Sequence, residues 1–430
     1  MPRITSLPIE PDRWLYVAEH LVREYGADLY EFRRRSRDHS EAVLGLWPRA
    51  ELVVGPATHP QEILDFCFRD DEMTGGYLSY PYGQLLHGVP VAPSPFPMGH
   101  LKKYEMTLYY TEGKGLEIPS NQKRLIAELR DVAEQGTPVR GDADGTSFRG
   151  TGLRESLDQA AYEEGVRQVL EHIRLGDTYQ LNLSIKFSCQ IRNPDGPGLF
   201  FFLRRKRPAP YYSWINSGPY SVLSTSPELF LQVEKGRVVS SPIKGTAPCG
   251  NDPRAAAERL GNSAKEDAEL SMIVDLIRND ISCNCEYGTV RVKNHKSTFV
   301  VDTVVQMYSD VLGRLNEDRT CMHLLLDAFP GGSVTGCPKK RSMEIIGRLE
   351  PHSRDIYCGA VFLVFDERNL MSSIAIRSAW METVDTMDTG GPDTMLHFYA
   401  GSGIVVDSDP GAEYLETLSK AEKFLELCGQ

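Results

Sequence analysis

The chain has 430 residues, 41% hydrophobic and 25% charged, with 47 Lys and Arg against 59 Asp and Glu for a net charge of −12. The apolar fraction is ordinary and no run of about 18 apolar residues occurs, which excludes a membrane-spanning helix; the acidic balance disfavours a nucleic-acid surface, whose phosphates need grouped cations. Met1–Glu10 has no basic segment followed by an apolar one, which argues against export, and nine cysteines without paired metal-ligand spacing read as reduced thiols in the cytoplasm.

In chain order, residues 1–134 form an N-terminal portion. Residues 135–152 (QGTPVRGDADGTSFRGTG), rich in Gly, Asp, Thr and Ser, read as a linker or surface loop leading into a region over 153–430. A helix is predicted over about Ser156–Leu175, then a Gly-Asp turn and the apolar–polar alternation of Tyr179–Cys189. The basic run Arg204–Arg207, before Pro-Ala-Pro, reads as a solvated helix end. Tyr220–Ser241 reads as strands with Lys235-Gly236 as a hairpin turn. Helices follow over Ser263–Ile277 and Pro338–Arg348, then strands over Tyr357–Phe365, Met371–Glu382 and Met395–Val406. An Asp-, Gly- and Thr-rich stretch, 383–394, joins the last two. The final helix starts after Asp409-Pro410, a cap followed by Pro at the first helical position. Neighbouring strands with helices set apart predict an α+β fold: large antiparallel β-sheets in a sandwich core with surrounding helices.

Two helices carry misplaced acids. Glu269 shares a helical stripe with Met272, Ile273 and Leu276, where a carboxylate is costly unless paired, hydrogen-bonded or bound to metal; the alternative is an acid favoured by the helix dipole. In the last helix Tyr414, Leu418, Ala421, Leu425 and Cys428 form the core stripe, while Glu413, Glu416 and Lys420 line another face. Alone, Glu416 and Lys420 make an ordinary exposed i, i+4 pair. Glu266-x-x-Glu269 and Glu413-x-x-Glu416 repeat one spacing, however, and carboxylates from two helices suit Mg²⁺.

Three further stretches carry candidate chemistry. In Ser241–Thr246 a strand takes Lys244 into a Gly turn; exposed, it is a surface lysine, and desolvated it loses its proton and becomes a nucleophile. Glu228, after Ser226-Pro227, is a candidate acid whose pKa burial would raise. Gly331–Gly336, ahead of Pro338, offers amides and hydroxyls to an anion, with Cys337 standing where a Walker loop needs lysine. Ala400–Gly403 reads as a second small-residue turn.

Together the stretches GDTYQLNLS, YSVLSTSPELFL, PIKGT, SAKEDAELSMIVDLIRND, FPGGSVTGCPKKRSMEII, IYCGA, SSIAIRS and AGSGIVVDSDPGAEYLETLSKAEK resemble the chorismate-binding family: anthranilate synthase component I, aminodeoxychorismate synthase component I, and the isochorismate and salicylate synthases. They cover roughly residues 176–423 in the family's order; the N-terminal portion matches only through GGYLSYPYG. The resemblance implies that Glu269 and Glu416 hold Mg²⁺ directly, with Glu266 and Glu413 in support. It implies that Tyr357, Arg377 and the amides around Ser402 and Gly403 grip the pyruvyl carboxylate, that Lys420 complements negative charge, and that Thr246 and Gln180 belong to the substrate-binding set. Isochorismate-type enzymes carry a water-activating lysine where this chain has Gln180, and anthranilate synthases usually have Ala where it has Lys244. The PIKGT form resembles aminodeoxychorismate synthases, in which that lysine attacks C2 of chorismate while an acid, here Glu228, protonates the C4 hydroxyl. No Gly-x-Cys-x-Gly elbow occurs, so ammonia is expected from solution or, as the resemblance implies, from a separate glutamine amidotransferase subunit. The chain departs from the pattern at Gln306, where a His is usual, at Ser282-Cys283 in place of Gly-Arg, and at Phe362 in place of Gly. Amination at C2, as in an anthranilate or aminodeoxyisochorismate synthase, and a non-catalytic scaffold for the amidotransferase are the alternatives.

Overall fold

A computed structural model describes residues 3–33, 39–136, 148–191, 195–249, 252–301, 304–384 and 393–429. Most of the predicted 135–152 linker and of the 383–394 connection lies outside them.

Twenty strands among the described residues join in one network whose named pairings are all antiparallel. It folds into two packed layers because the long strands Ser40–Val54 and Gly99–Thr111 run through both. One layer passes from these through Asp28–Arg33, Tyr211–Ser217, Tyr220–Ser226, Ser378–Val384 and Asp393–Ile404 to Gln180–Ile191. The other passes through Thr74–Leu78, Gly359–Asp366, Asn369–Ala375, Leu229–Glu234 and Arg237–Ser241 to Val304–Arg314. This is the α+β arrangement that the strand pattern predicts. N-terminal strands pair directly with later ones: Thr74–Leu78 lies beside Gly359–Asp366, and Asp28–Arg33 beside Tyr211–Ser217.

Alternation along each strand splits the first layer between two cores. Leu181, Leu183, Ile185 and Phe187 pack under helices with Phe398 and Ile404, whereas Tyr30, Ile215, Val222 and Trp380 face the second layer. A period of two sends each set to its own face. On Gln180–Ile191 the face toward the second layer is polar, with Gln180, Asn182, Ser184 and Lys186 in line, and that polar row floors the site.

The local signals hold in several places. Asp409 caps the last helix, Pro410–Leu425, by accepting from Ala412 N at 2.9 Å. Lys235 and Gly236 form the hairpin turn with φ of 50° and 74°, the two positive values that a type I′ turn requires. Three readings are corrected. Met371–Glu382 is two strands, Asn369–Ala375 and Ser378–Val384, because Arg377 turns into the left-handed region at φ 52°. Ala400–Gly403 is strand interior, paired with Asn182–Ile185; small side chains there let the cavity approach the backbone. The basic run at Arg204 is more than a solvated end: Arg204 Nε meets the buried Glu31 at 2.7 Å and Arg205 Nη1 meets the buried Glu19 at 3.0 Å.

Candidate functional site

A cavity of about 470 Å³ opens where the polar strand row, the second layer and two helices meet. Its walls include Asn182, Glu228, Lys244, Glu266, Glu269, Gln306, Ser333, Tyr357, Arg377, Gly403, Glu413, Glu416 and Lys420. Residues nearly 240 positions apart in the chain thus share one small chamber, of a size usual for small-molecule sites.

Lys244 lies on the strand Ile243–Pro248, whose register against Val304–Arg314 shifts between Lys244 and Thr246. Gly245 makes that bulge possible at φ 76°, and a methyl group there would sit 2.8 Å from Glu266 Oε2. The Lys244 ammonium lies 3.8 Å from Glu269 Oε2. Opposite, the bare backbone of Gly403 makes room: a methyl group there would lie 3.1 Å from Lys244 Nζ and 3.8 Å from Gln180 Nε2. Gln180 therefore converges with Lys244. Its side chain is buried and neither amide atom has a partner among the described residues. An unpartnered buried amide is costly unless a ligand completes it. Thr246 pairs with Gln306 in the ladder, and its side chain lies outside the described residues.

Glu228 is 6% exposed, and its pKa is pushed up to about 7 by burial; Ser333 Oγ, donating to Oε1 at 3.0 Å, and the charges of Lys244 and Lys420 oppose the shift. A buried carboxyl that holds its proton near neutrality is suited to give it up to a leaving group.

The acids come from two helices, Ala264–Ser282 and Pro410–Leu425. Buried Glu413 accepts from Ser408 Oγ at 2.6 Å, and Glu416 pairs with Lys420 at 2.7 Å. Lys420 also donates to Gly401 O at 3.1 Å, and burial lowers its pKa. Among the described residues no three His, Cys, Asp or Glu groups converge as a ready-made chelate. Hard carboxylate oxygens from two helices on one cavity nevertheless fit a hard divalent cation, which needs one or two carboxylates and completes its shell with water or ligand oxygens.

At the far end, Tyr357 stacks on Tyr399 with ring centres 5.6 Å apart, and Asn182 Nδ2 donates to the Tyr357 hydroxyl at 3.4 Å. Arg377 Nη1 donates to Lys420 O at 2.6 Å. Ser402 differs from its neighbours: its side chain turns to the helix layer, where its hydroxyl lies 2.9 Å from that of Tyr162.

Asn182, Ser333 and Tyr399 also line the cavity; the sequence reading missed Asn182 and Tyr399 and held Ser333 only as one hydroxyl of the Gly331–Gly336 stretch. Asn182 was within reach, since it shares a strand face with Gln180. Of the three departures, Gln306 lines the cavity with Oε1 unpartnered among the described residues, Phe362 is buried core opposite Gly76, and Cys283 is an exposed helix end.

A buried ion pair supports the floor. Arg354 makes two hydrogen bonds to Glu350, at 2.8 and 2.7 Å, and donates to Asn182 O and Val334 O at 2.6 and 3.0 Å. Glu350 also accepts from Ser184 N and Oγ at 2.8 Å. Glu350→Ala is expected to cost about 3–5 kcal/mol, because it strands a buried guanidinium; chemical denaturation would measure this, and a loss under 1 kcal/mol would contradict it.

The sequence profile described as chorismate binding enzyme matches residues 37–426. Aminodeoxychorismate synthase component 1 of Salmonella typhimurium is 34% identical over 377 residues, covering 85% of this chain and 78% of that protein. Its Klebsiella aerogenes namesake is 40% identical over 280 residues, 63% of this chain and 58% of that one. Anthranilate synthase component 1 of Haloferax volcanii is 38% identical over 302 residues, 69% and 55% of the two chains. Among solved structures, anthranilate synthase component I from Streptococcus pneumoniae superposes with a TM-score of 0.74 at 25% identity, covering 91% of this chain and 93% of that one. The chain belongs to the chorismate-binding enzyme family, a family of chorismate-using synthases.

Proposed function

We propose that the protein is the chorismate-aminating component of an aminodeoxychorismate synthase, forming 4-amino-4-deoxychorismate from chorismate and ammonia. The observation that carries this reading is Lys244 in the cavity, beside Gln180 and across from the proton-holding Glu228. A lysine there supplies a covalent route. Gln180, which cannot act as a base toward water, disfavours hydroxylation at C2.

Glu228 donates its proton to the C4 hydroxyl, which leaves as water. Lys244 gives up its ammonium proton to solvent as its nitrogen forms a bond to C2 and the two ring double bonds shift toward C4. Ammonia then bonds to C4, the double bonds shift back, and the C2–N bond to Lys244 breaks, regenerating the amine after proton loss from the incoming nitrogen. Two conjugate displacements replace one direct substitution at C4. Arg377 and Tyr357 hold the pyruvyl carboxylate, and Lys420 offsets negative charge on the substrate. Glu269 and Glu416 would hold Mg²⁺, supported by Glu266 and Glu413. When bound, the ion neutralises the ring carboxylate. Ammonia is delivered by a separate glutamine amidotransferase subunit or taken from solution.

The test is product identity. Purified protein with chorismate, Mg²⁺ and an ammonium salt is expected to yield a non-aromatic amine that keeps its enolpyruvyl group, identified by mass and ultraviolet spectrum, and chelation of divalent ions is expected to stop it. The 38% identity to an anthranilate synthase component supports a second reading, amination at C2. Fluorescent anthranilate with release of pyruvate would establish that one instead. Unchanged chorismate with retained binding of a glutaminase would leave only a scaffold.

A further inference from the structure

Lys423 follows Lys420 on the last helix and takes no part in the chemistry above. Among the described residues no carboxylate pairs with it. Its half-buried side chain instead donates from Nζ to Thr225 Oγ1. Thr225 is buried and spends its one hydroxyl hydrogen on Arg377 O, at 2.5 Å. Arg377 returns the connection through Nη1 to Lys420 O at 2.6 Å. Helix, strand end and the turn at Arg377 are thereby closed into one ring of hydrogen bonds.

Two features call for a reason. Arg377 holds φ 52°, a left-handed backbone state that is unfavourable for a residue bearing a side chain. Burial, with Arg377 and Arg207 alongside, pushes the Lys423 ammonium well below the ordinary lysine range, so a cation at this place works against stability. Methionine would fill the same volume without that penalty.

We infer that Lys423 is a positioning residue: through Thr225 it holds the left-handed turn at Arg377, and so aims the Arg377 guanidinium at the carboxylate of the substrate. This rests on the reading that the cavity takes chorismate. Lys423 itself touches no reacting atom.

The experiment compares wild type, Lys423→Met, Lys423→Arg and Thr225→Val. Chorismate binding is measured by calorimetry without ammonia, and KM and kcat are measured with ammonium. Lys423→Met and Thr225→Val are each expected to raise Kd and KM about tenfold, the loss of one well-placed hydrogen bond, with kcat within about threefold. Lys423→Met should keep or raise Tm, and Lys423→Arg should stay near wild type. In an Arg377→Ala background Lys423→Met should add less than about twofold, because the residue it acts through is gone. Should Lys423→Met fail to fold, Thr225→Val reads the same linkage. Wild-type binding retained in Lys423→Met, or an undiminished effect in the Arg377→Ala background, would overturn the inference alone. A wild-type protein that binds no chorismate would overturn it together with the functional reading.

Discussion

Lys244→Ala is expected to slow C4 amination by roughly 10³- to 10⁵-fold, with chorismate affinity changed by no more than about threefold. The cavity, Glu228 and the helix acids remain, so what is lost is the covalent path: ammonia must then displace at C4 directly, without the conjugate shift that addition at C2 provides. Gly403 and Gly245 give the lysine its room, and alanine leaves space rather than strain. Wild type mixed with chorismate in the absence of ammonia should gain the mass of chorismate less one water, and the variant should not. Turnover that survives the substitution intact would remove the covalent step.

Glu228→Gln is expected to lower kcat/KM by about 10²- to 10⁴-fold and to erase a pH dependence as well. The acid form does the work, and it is lost as pH rises through about 7, so wild-type kcat/KM should fall on the alkaline side of neutrality while the glutamine variant lacks that limb. The stability of the unliganded protein carries the same signature. Folded Glu228 keeps its proton to about pH 7, whereas the unfolded chain releases it near 4.5. Between those values the folded state binds the extra proton, so stability falls as pH rises across that window and stays lower above it. At pH 8 the glutamine variant should therefore be more stable than wild type in chemical denaturation, by about 3 kcal/mol. A wild-type activity profile flat from pH 6 to 9 would exclude Glu228 as the acid.

Much of the site was legible because its residues break local rules. A glutamate on an apolar helical stripe at position 269, a lysine run into a glycine turn at 244, and a matching acid spacing in the last helix each conflict with simple burial, and each side chain lines the cavity. Asn182, Ser333 and Tyr399 break no local rule. A strand asparagine, a serine in the 3-10 turn Gly332–Val334 and a strand tyrosine are ordinary until a neighbour from elsewhere in the chain gives them a role, as Glu228 does for Ser333 at 3.0 Å. The division of Met371–Glu382 escaped notice for a related reason: an arginine at φ 52° is unfavourable by itself and persists only where Thr225 and Lys420 hold it.

By itself the sequence determined the type of most of the helices and strands it predicted, the capped start of the last helix, the Lys235-Gly236 turn and several residues with unusual chemistry, since all of these follow from propensity, periodicity and side-chain type over short stretches. Only the tertiary structure decided that Lys244 and Glu228 line one cavity with Gln180 close to Lys244, that Ser402 turns away, and that Lys423 reaches Arg377 through Thr225. Those facts depend on strand pairing and layer packing between segments as many as about 240 residues apart, and no local energy term encodes such distances.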